Sequence, residues 1–245
     1  MMRSCFVTPL TLLTLLTLTA ASRAADLPSG YKLLYQQDCA KPEAIKDFVF
    51  SDPKPWKMTT TNGETSLECL GKSKYTPQHR SPFNIALVAG RQFGDFVLEV
   101  ELQSTVKPYP HQDMCLFFGF RDTNHYYYTH IAVRPDPVKA ESHAHDLFIV
   151  SDAPRQCFAK EVSAGVTWGQ DVWHKIRVIR TVADGAIQVY FDDFTKPIMT
   201  GADKTFSAGS IGFGTFDDAG KVRNIRIWGP SSEAKPTDFF RSKQD

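Results

Sequence analysis

The sequence predicts an all-β protein built as two antiparallel sheets packed face to face. Three observations carry that expectation. Apolar runs of strand length, rich in Val, Ile, Phe and Tyr, recur along the chain between Gly, Pro, Asn and Asp turns. Helical periodicity is nearly absent, and no internal repeat points to a propeller or solenoid. In residues 94–104 (GDFVLEVELQS), Phe96, Leu98, Val100 and Leu102 alternate with Val97, Glu99, Glu101 and Gln103. A period of two with one polar face marks a sheet buried on one side.

The elements follow in order. Residues 1–24 read as a secretory signal peptide: Arg3, an apolar stretch through Ala20, and a Ser22-Arg23-Ala24 cleavage signal. The protein is therefore expected to be secreted or periplasmic, with no membrane span after cleavage. Residues 25–230 are expected to form one sandwich domain. Its strands begin at residues 31–37; Asn62-Gly63 then introduces a hairpin into residues 65–70, and residues 84–88 follow a polar loop. The central stretch, residues 94–133, reads as an antiparallel meander broken by Pro108, Pro110 and Asp122-Thr123-Asn124. Four further strands close the domain, the first two joined at Asp184-Gly185. Residues 231–245 read as a polar, disordered tail on which Phe239-Phe240 alone offers a docking group.

A net charge of +1 without a basic stripe excludes a nucleic-acid footprint. Cys39, Cys69, Cys115 and Cys157 remain after signal cleavage, enough for two disulfides in three connectivities; Cys115, in phase with Phe117, equally suits a buried thiol. No CxxC occurs, so neither a zinc ribbon nor a thioredoxin-type site is indicated.

The chemistry-bearing residues cluster in the centre. Glu99 and Glu101 share a strand face and form a candidate acid/base pair; the alternative is a solvated face paired with Lys or Arg. His111, His125, His130, His143 and His145 fall within 35 residues of sequence. His130 alternates in phase with Tyr126 and Tyr128, a row able to remove and return a proton, and Asp113 begins the neighbouring run. Several imidazoles with a carboxylate also suit a metal, whereas histidines in polar loops are ordinarily surface groups. Arg80 supplies a planar donor fork for sugar hydroxyls or a uronate, with His111, Tyr126 and His145 as further substrate contacts. Tyr109, Trp56 and Trp168 are candidate stacking platforms, while Trp173 and Trp228 read as core.

The segments GDF at residues 94–96, W-H-x-I-x-V at 173–178, V-Y-F-D-D at 189–193 and G-x-G-T-F-D-D at 212–218, with the closing I-x-I-W, resemble the concanavalin A-like lectin/glucanase superfamily. Within it the chain is similar to the laminin-G-like and 3-keto-disaccharide hydrolase domains of secreted bacterial proteins. The resemblance implies a jelly-roll sandwich that binds a glycan or sugar derivative in a concave groove, with hydrolysis or elimination of a glycosidic bond as its possible chemistry. On that reading Glu99, Glu101, Asp113, His130 and Tyr128 are the catalytic candidates. Glu99-Val100-Glu101 lacks the further acidic residue of the retaining-glucanase motif, so that particular mechanism is not implied. No cofactor is required; a structural Ca²⁺ held by Asp38, Asp217 and Asp218 is implied by the superfamily. The alternative function is a non-catalytic carbohydrate- or protein-binding module.

Overall fold

A computed structural model describes residues 27–135 and 145–240; the segment expected to be a signal peptide (residues 1–24), with Cys5, and His143 and the last five residues lie outside them. Strands are numbered along the chain. The larger sheet, A, has the order β12 (Ala159–Val162), β15 (Met199–Ala202), β14 (Ala186–Phe191), β13 (Val172–Arg180), β7 (Phe96–Ser104), β17 (Gly220–Gly229), β4 (Glu64–Cys69) and β3 (Trp56–Thr61). A ninth strand, β1 (Lys32–Gln37), also pairs with β17. Sheet B runs β11 (Gln156–Cys157), β10 (Asp146–Ser151), β9 (His125–Ala132), β8 (Asp113–Asp122), β16 (Ser210–Thr215), β5 (Asn84–Val88) and β2 (Phe48–Phe50). A short 3-10 helix, Pro42–Asp47, precedes β2, and β6 (Arg91–Phe93) pairs with β18 (Ser232–Ala234). The fold is thus all-β, a two-sheet sandwich. The expected hairpins at Asn62-Gly63 and Asp184-Gly185 are present.

The core lies between the sheets. Leu98, Val100, Leu102, Ile176, Val178, Ile225 and Ile227 of sheet A meet Met114, Leu116, Phe118, Tyr127, Ile131 and Phe213 of sheet B. Each such side chain contributes about 1.5–3 kcal/mol on burial. That burial fixes strand parity, because a one-residue slip of β7 would bury Glu99 and Glu101.

Sheet B carries a second apolar layer on its other face. Ile85, Leu87, Cys115, Phe117, Phe120, Tyr126, Tyr128, Phe148 and Val150 form it, covered by Tyr75, Phe216, Phe239 and Phe240. Both faces of β8 are therefore buried, and its sequence MCLFFGF shows an apolar run instead of alternation.

Two expectations change and one open alternative closes. The central stretch is not one meander: β7 belongs to sheet A and β8–β9 to sheet B, so the Pro108–Pro110 turn crosses between sheets. A strand's period fixes its faces but not the sheet it joins. The tail is not disordered through residue 240; β18 adds to β6, and Phe239 and Phe240 pack on Phe120, whose apolar surface outweighs the cost of ordering them. Among the described residues no disulfide forms; Cys39, Cys69 and Cys115 are buried thiols and Cys157 is half-buried.

Candidate functional site

The candidate residues fall into two groups on opposite outer faces of the sandwich. Leu98, Val100 and Leu102 point into the core, so Glu99 and Glu101 face outward from sheet A. There they meet opposite charge across the strands. The Arg177 guanidinium donates to Glu99 from Nε at 3.0 Å and Nη2 at 2.5 Å. Arg223 donates to Glu101 at 2.7 Å and also binds Glu64. Arg223 lies over the half-buried Trp173 ring at 4.1 Å and Arg177 over Phe194 at 4.1 Å. This is a ladder of partly exposed ion pairs. The two carboxylates do not approach the histidine–tyrosine row that was expected to work with them.

The second group converges. Tyr127 and Ile131 point into the core, so Tyr126, Tyr128 and His130 face outward from sheet B. A hollow of about 430 Å³ on that side is lined by Arg80, Phe83, Tyr109, His111, Asp113, His130, Phe216 and Asp217. Six of these residues were candidates from the sequence: Arg80, Tyr109, His111, Asp113, His130 and Asp217.

Local structure places each of them. The Pro108–Pro110 crossover presents Tyr109 and His111, whose rings meet edge to face at 6.2 Å. The buried Asn84 amide donates to Thr215 Oγ1 at 3.1 Å and to the Phe216 carbonyl at 3.0 Å, tying the start of β5, beside the Arg80 loop, to the Phe216 wall. Asp218 accepts from the Asp113 backbone N–H at 3.0 Å and from the Tyr109 hydroxyl at 2.6 Å. Burial, reinforced by the charges of Asp113 and Asp217, pushes the Asp218 carboxyl up to about 6. At the floor, His130 Nε2 stands 3.4 Å from Asp113 Oδ2, and the His130 ring is edge-on to Phe216 at 5.5 Å.

Tyr126 and Tyr128 lie under the aromatic layer beside the hollow and do not line it. Tyr128 accepts from Arg155 at 2.9 Å, and burial raises its phenol well above the ordinary value. Arg155 is itself buried, its guanidinium 4.8 Å from the Phe148 ring and 4.5 Å from Phe216, so it props the hollow's wall. His145 is fully buried at the start of β10; its Nδ1 accepts from the Ala132 N–H at 3.1 Å, and Nε2 meets Ser163 Oγ at 3.2 Å. Trp56 and Trp168 are core residues, whereas Trp173 lies on sheet A's outer face. The parity of β13 puts Trp173 with Lys175 and Arg177, away from Ile176.

The expected calcium set does not assemble. Asp38 follows Gln37, the partner of Ile225, whereas Asp218 precedes Gly220 at the far end of β17. About seven strand residues, on the order of 20 Å, separate these positions. The Asp38 carboxylate accepts from the Ala40 N–H at 2.8 Å, which closes its own turn. Among the described residues the group whose donor atoms do converge is Asp113, Cys115 and His130.

Phe83, Phe216 and Arg155 escaped the sequence reading. All three stand in loops without periodicity, and only packing gives them a face.

The geometry is that of a two-sheet antiparallel sandwich with a polar hollow on the outer face of sheet B. No family model and no curated protein matches the chain. Solved structures do. It is similar to the carbohydrate-binding module CBM66 from Bacillus subtilis, at 14% identity and TM-score 0.50, over 77% of this chain and 96% of that one. A Bacillus subtilis protein of unknown function with a galectin-like fold aligns at 12% identity and TM-score 0.53, covering 84% and 100%. Lectin I from Ulex europaeus, in complex with the methyl glycoside of α-L-fucose, aligns at 11% and 0.51, covering 84% and 99%. These likenesses are in fold: the chain shares a two-sheet β-sandwich with a carbohydrate-binding module, a galectin-like protein and a lectin.

Proposed function

We propose that this chain is an exported domain that binds a glycan or sugar derivative in the hollow on the outer face of sheet B. The observation that carries the reading is the lining itself. Tyr109, Phe83 and Phe216 offer ring faces for the C–H side of a pyranose, while Arg80, His111, Asp113 and Asp217 offer donors and acceptors for its hydroxyls. Export rests on the leader read in residues 1–24. The solved neighbours named above include a carbohydrate-binding module and a lectin, which supports the substrate class.

A second reading, turnover of the bound sugar, draws on the 3.4 Å Asp113–His130 pair, a carboxylate and imidazole placed to exchange a proton with a ligand hydroxyl. A glycan array followed by calorimetry on the hits tests the first reading. Arg80→Ala should weaken binding about tenfold or more, since a hydrogen bond from a charged group is worth about 1.5–3 kcal/mol. Product analysis of the same mixtures tests the second. An array without a hit, or an affinity untouched by Arg80→Ala, overturns the assignment of the hollow.

A further inference from the structure

We infer that Asp113, Cys115 and His130 form a binding site for a divalent transition metal of zinc type at the floor of the hollow. Strand pairing builds it. Cys115 and His130 are direct cross-strand partners of β8 and β9, and Asp113 stands two residues before Cys115 on the same face. Their carboxylate, thiol and imidazole donor atoms all lie within 4.8 Å of one another. His130 Nε2 to Asp113 Oδ2 is 3.4 Å and Cys115 Sγ to Asp113 Oδ1 is 3.8 Å. Metal–ligand bonds of about 2.0–2.3 Å in a tetrahedron require ligand–ligand edges of roughly 3.4–3.6 Å. These two approaches use different oxygens of the Asp113 carboxylate, so with one oxygen as ligand the three donor atoms, all within 4.8 Å of one another, draw in to the tetrahedral edge when the ion binds.

The donor set selects the ion. One sulfur, one nitrogen and one oxygen suit zinc and its neighbours, whereas calcium and magnesium take oxygen. All three side chains are buried; Cys115 lies behind, and Asp113 and His130 open on the hollow. Three protein ligands leave the fourth position facing that space, the arrangement of zinc sites that accept water or substrate. Binding requires loss of the Cys115 thiol proton to solvent and no change of oxidation state. The ion does not depend on the glycan-binding reading, because it is held by the chain alone; with it bound, His130 Nε2 is a ligand, which excludes the proton exchange of the second reading.

The test uses Co²⁺ as the metal, with the reduced, chelator-treated protein. One equivalent should produce thiolate-to-cobalt absorption in the near ultraviolet with intense visible bands, and Zn²⁺ should abolish both. Cys115→Ser should remove the ultraviolet band and weaken Co²⁺ binding by at least about 100-fold, beyond the 10–100-fold effect of outer-shell changes. His130→Gln, checked by circular dichroism, serves should Cys115→Ser fail to fold. The inference falls if the wild-type protein binds no stoichiometric Co²⁺ and gains no thermal stability with Zn²⁺. It falls equally if Co²⁺ binding survives both substitutions. Failure on a glycan array leaves this result standing, and failure here leaves the array result standing.

Discussion

Acidification should unfold this protein partly through His145. Its Nδ1 accepts from the Ala132 N–H, so the ring proton sits on Nε2 and is given to Ser163 Oγ, which itself can donate to the Gly165 carbonyl. A second proton would set Nδ1–H against the Ala132 N–H in a site without water access. Burial, together with the nearby His130 imidazole, therefore pushes His145 down to about 4 from 6.5. The unfolded chain takes the proton near 6.5 and the folded chain only near 4. His145's contribution is thus complete above pH 6.5, declines as pH falls, and is lost by about pH 4. At 1.36 kcal/mol per unit the loss is roughly 3 kcal/mol. Urea denaturation of wild type and His145→Asn at pH 7.5, 5.5 and 4.0 measures it. Asparagine keeps an acceptor for Ala132 but does not titrate, so the stability gap between the two proteins should shrink by roughly 3 kcal/mol over that range. A gap independent of pH, or an NMR titration placing His145 above 6, refutes the argument.

Other outcomes follow from the two outer faces. Arg155→Met removes the hydrogen bond to Tyr128 and the cation between Phe148 and Phe216; it should cost about 2 kcal/mol by chemical denaturation and loosen the hollow's wall, lowering ligand affinity as well. Glu101→Gln breaks a partly exposed pair with Arg223 and should cost less than about 1 kcal/mol, with glycan and Co²⁺ binding unchanged, because its face is remote from the hollow.

The strands were legible because their chemistry is local. Asn84–Val88 follows a polar loop and ends two residues before the turn at Gly90, and its limits match the expectation. The gathering of Arg80, His111, Asp113, His130 and Asp217 was half legible: strand parity put His130 outward and the Pro turn put His111 at a loop tip, but their meeting depends on how β8, β9 and β16 pair. The grouping of Glu101 with His130 failed for the same reason. Alternation says which residues share a face of one strand and nothing about which sheet takes the strand. Arg155 was illegible because an arginine in a polar loop is ordinarily solvated, and it is packed between Phe148 of the preceding strand and the distant Phe216.

The crossing of the chain at Pro108–Pro110 leaves the molecule with two display surfaces that share a core but no side chains. Substitutions on one should add to those on the other without coupling. The charged ladder beyond β7 can therefore be redesigned, for immobilisation or for a second recognition task, while the pocket behind β8 and β9 keeps its shape.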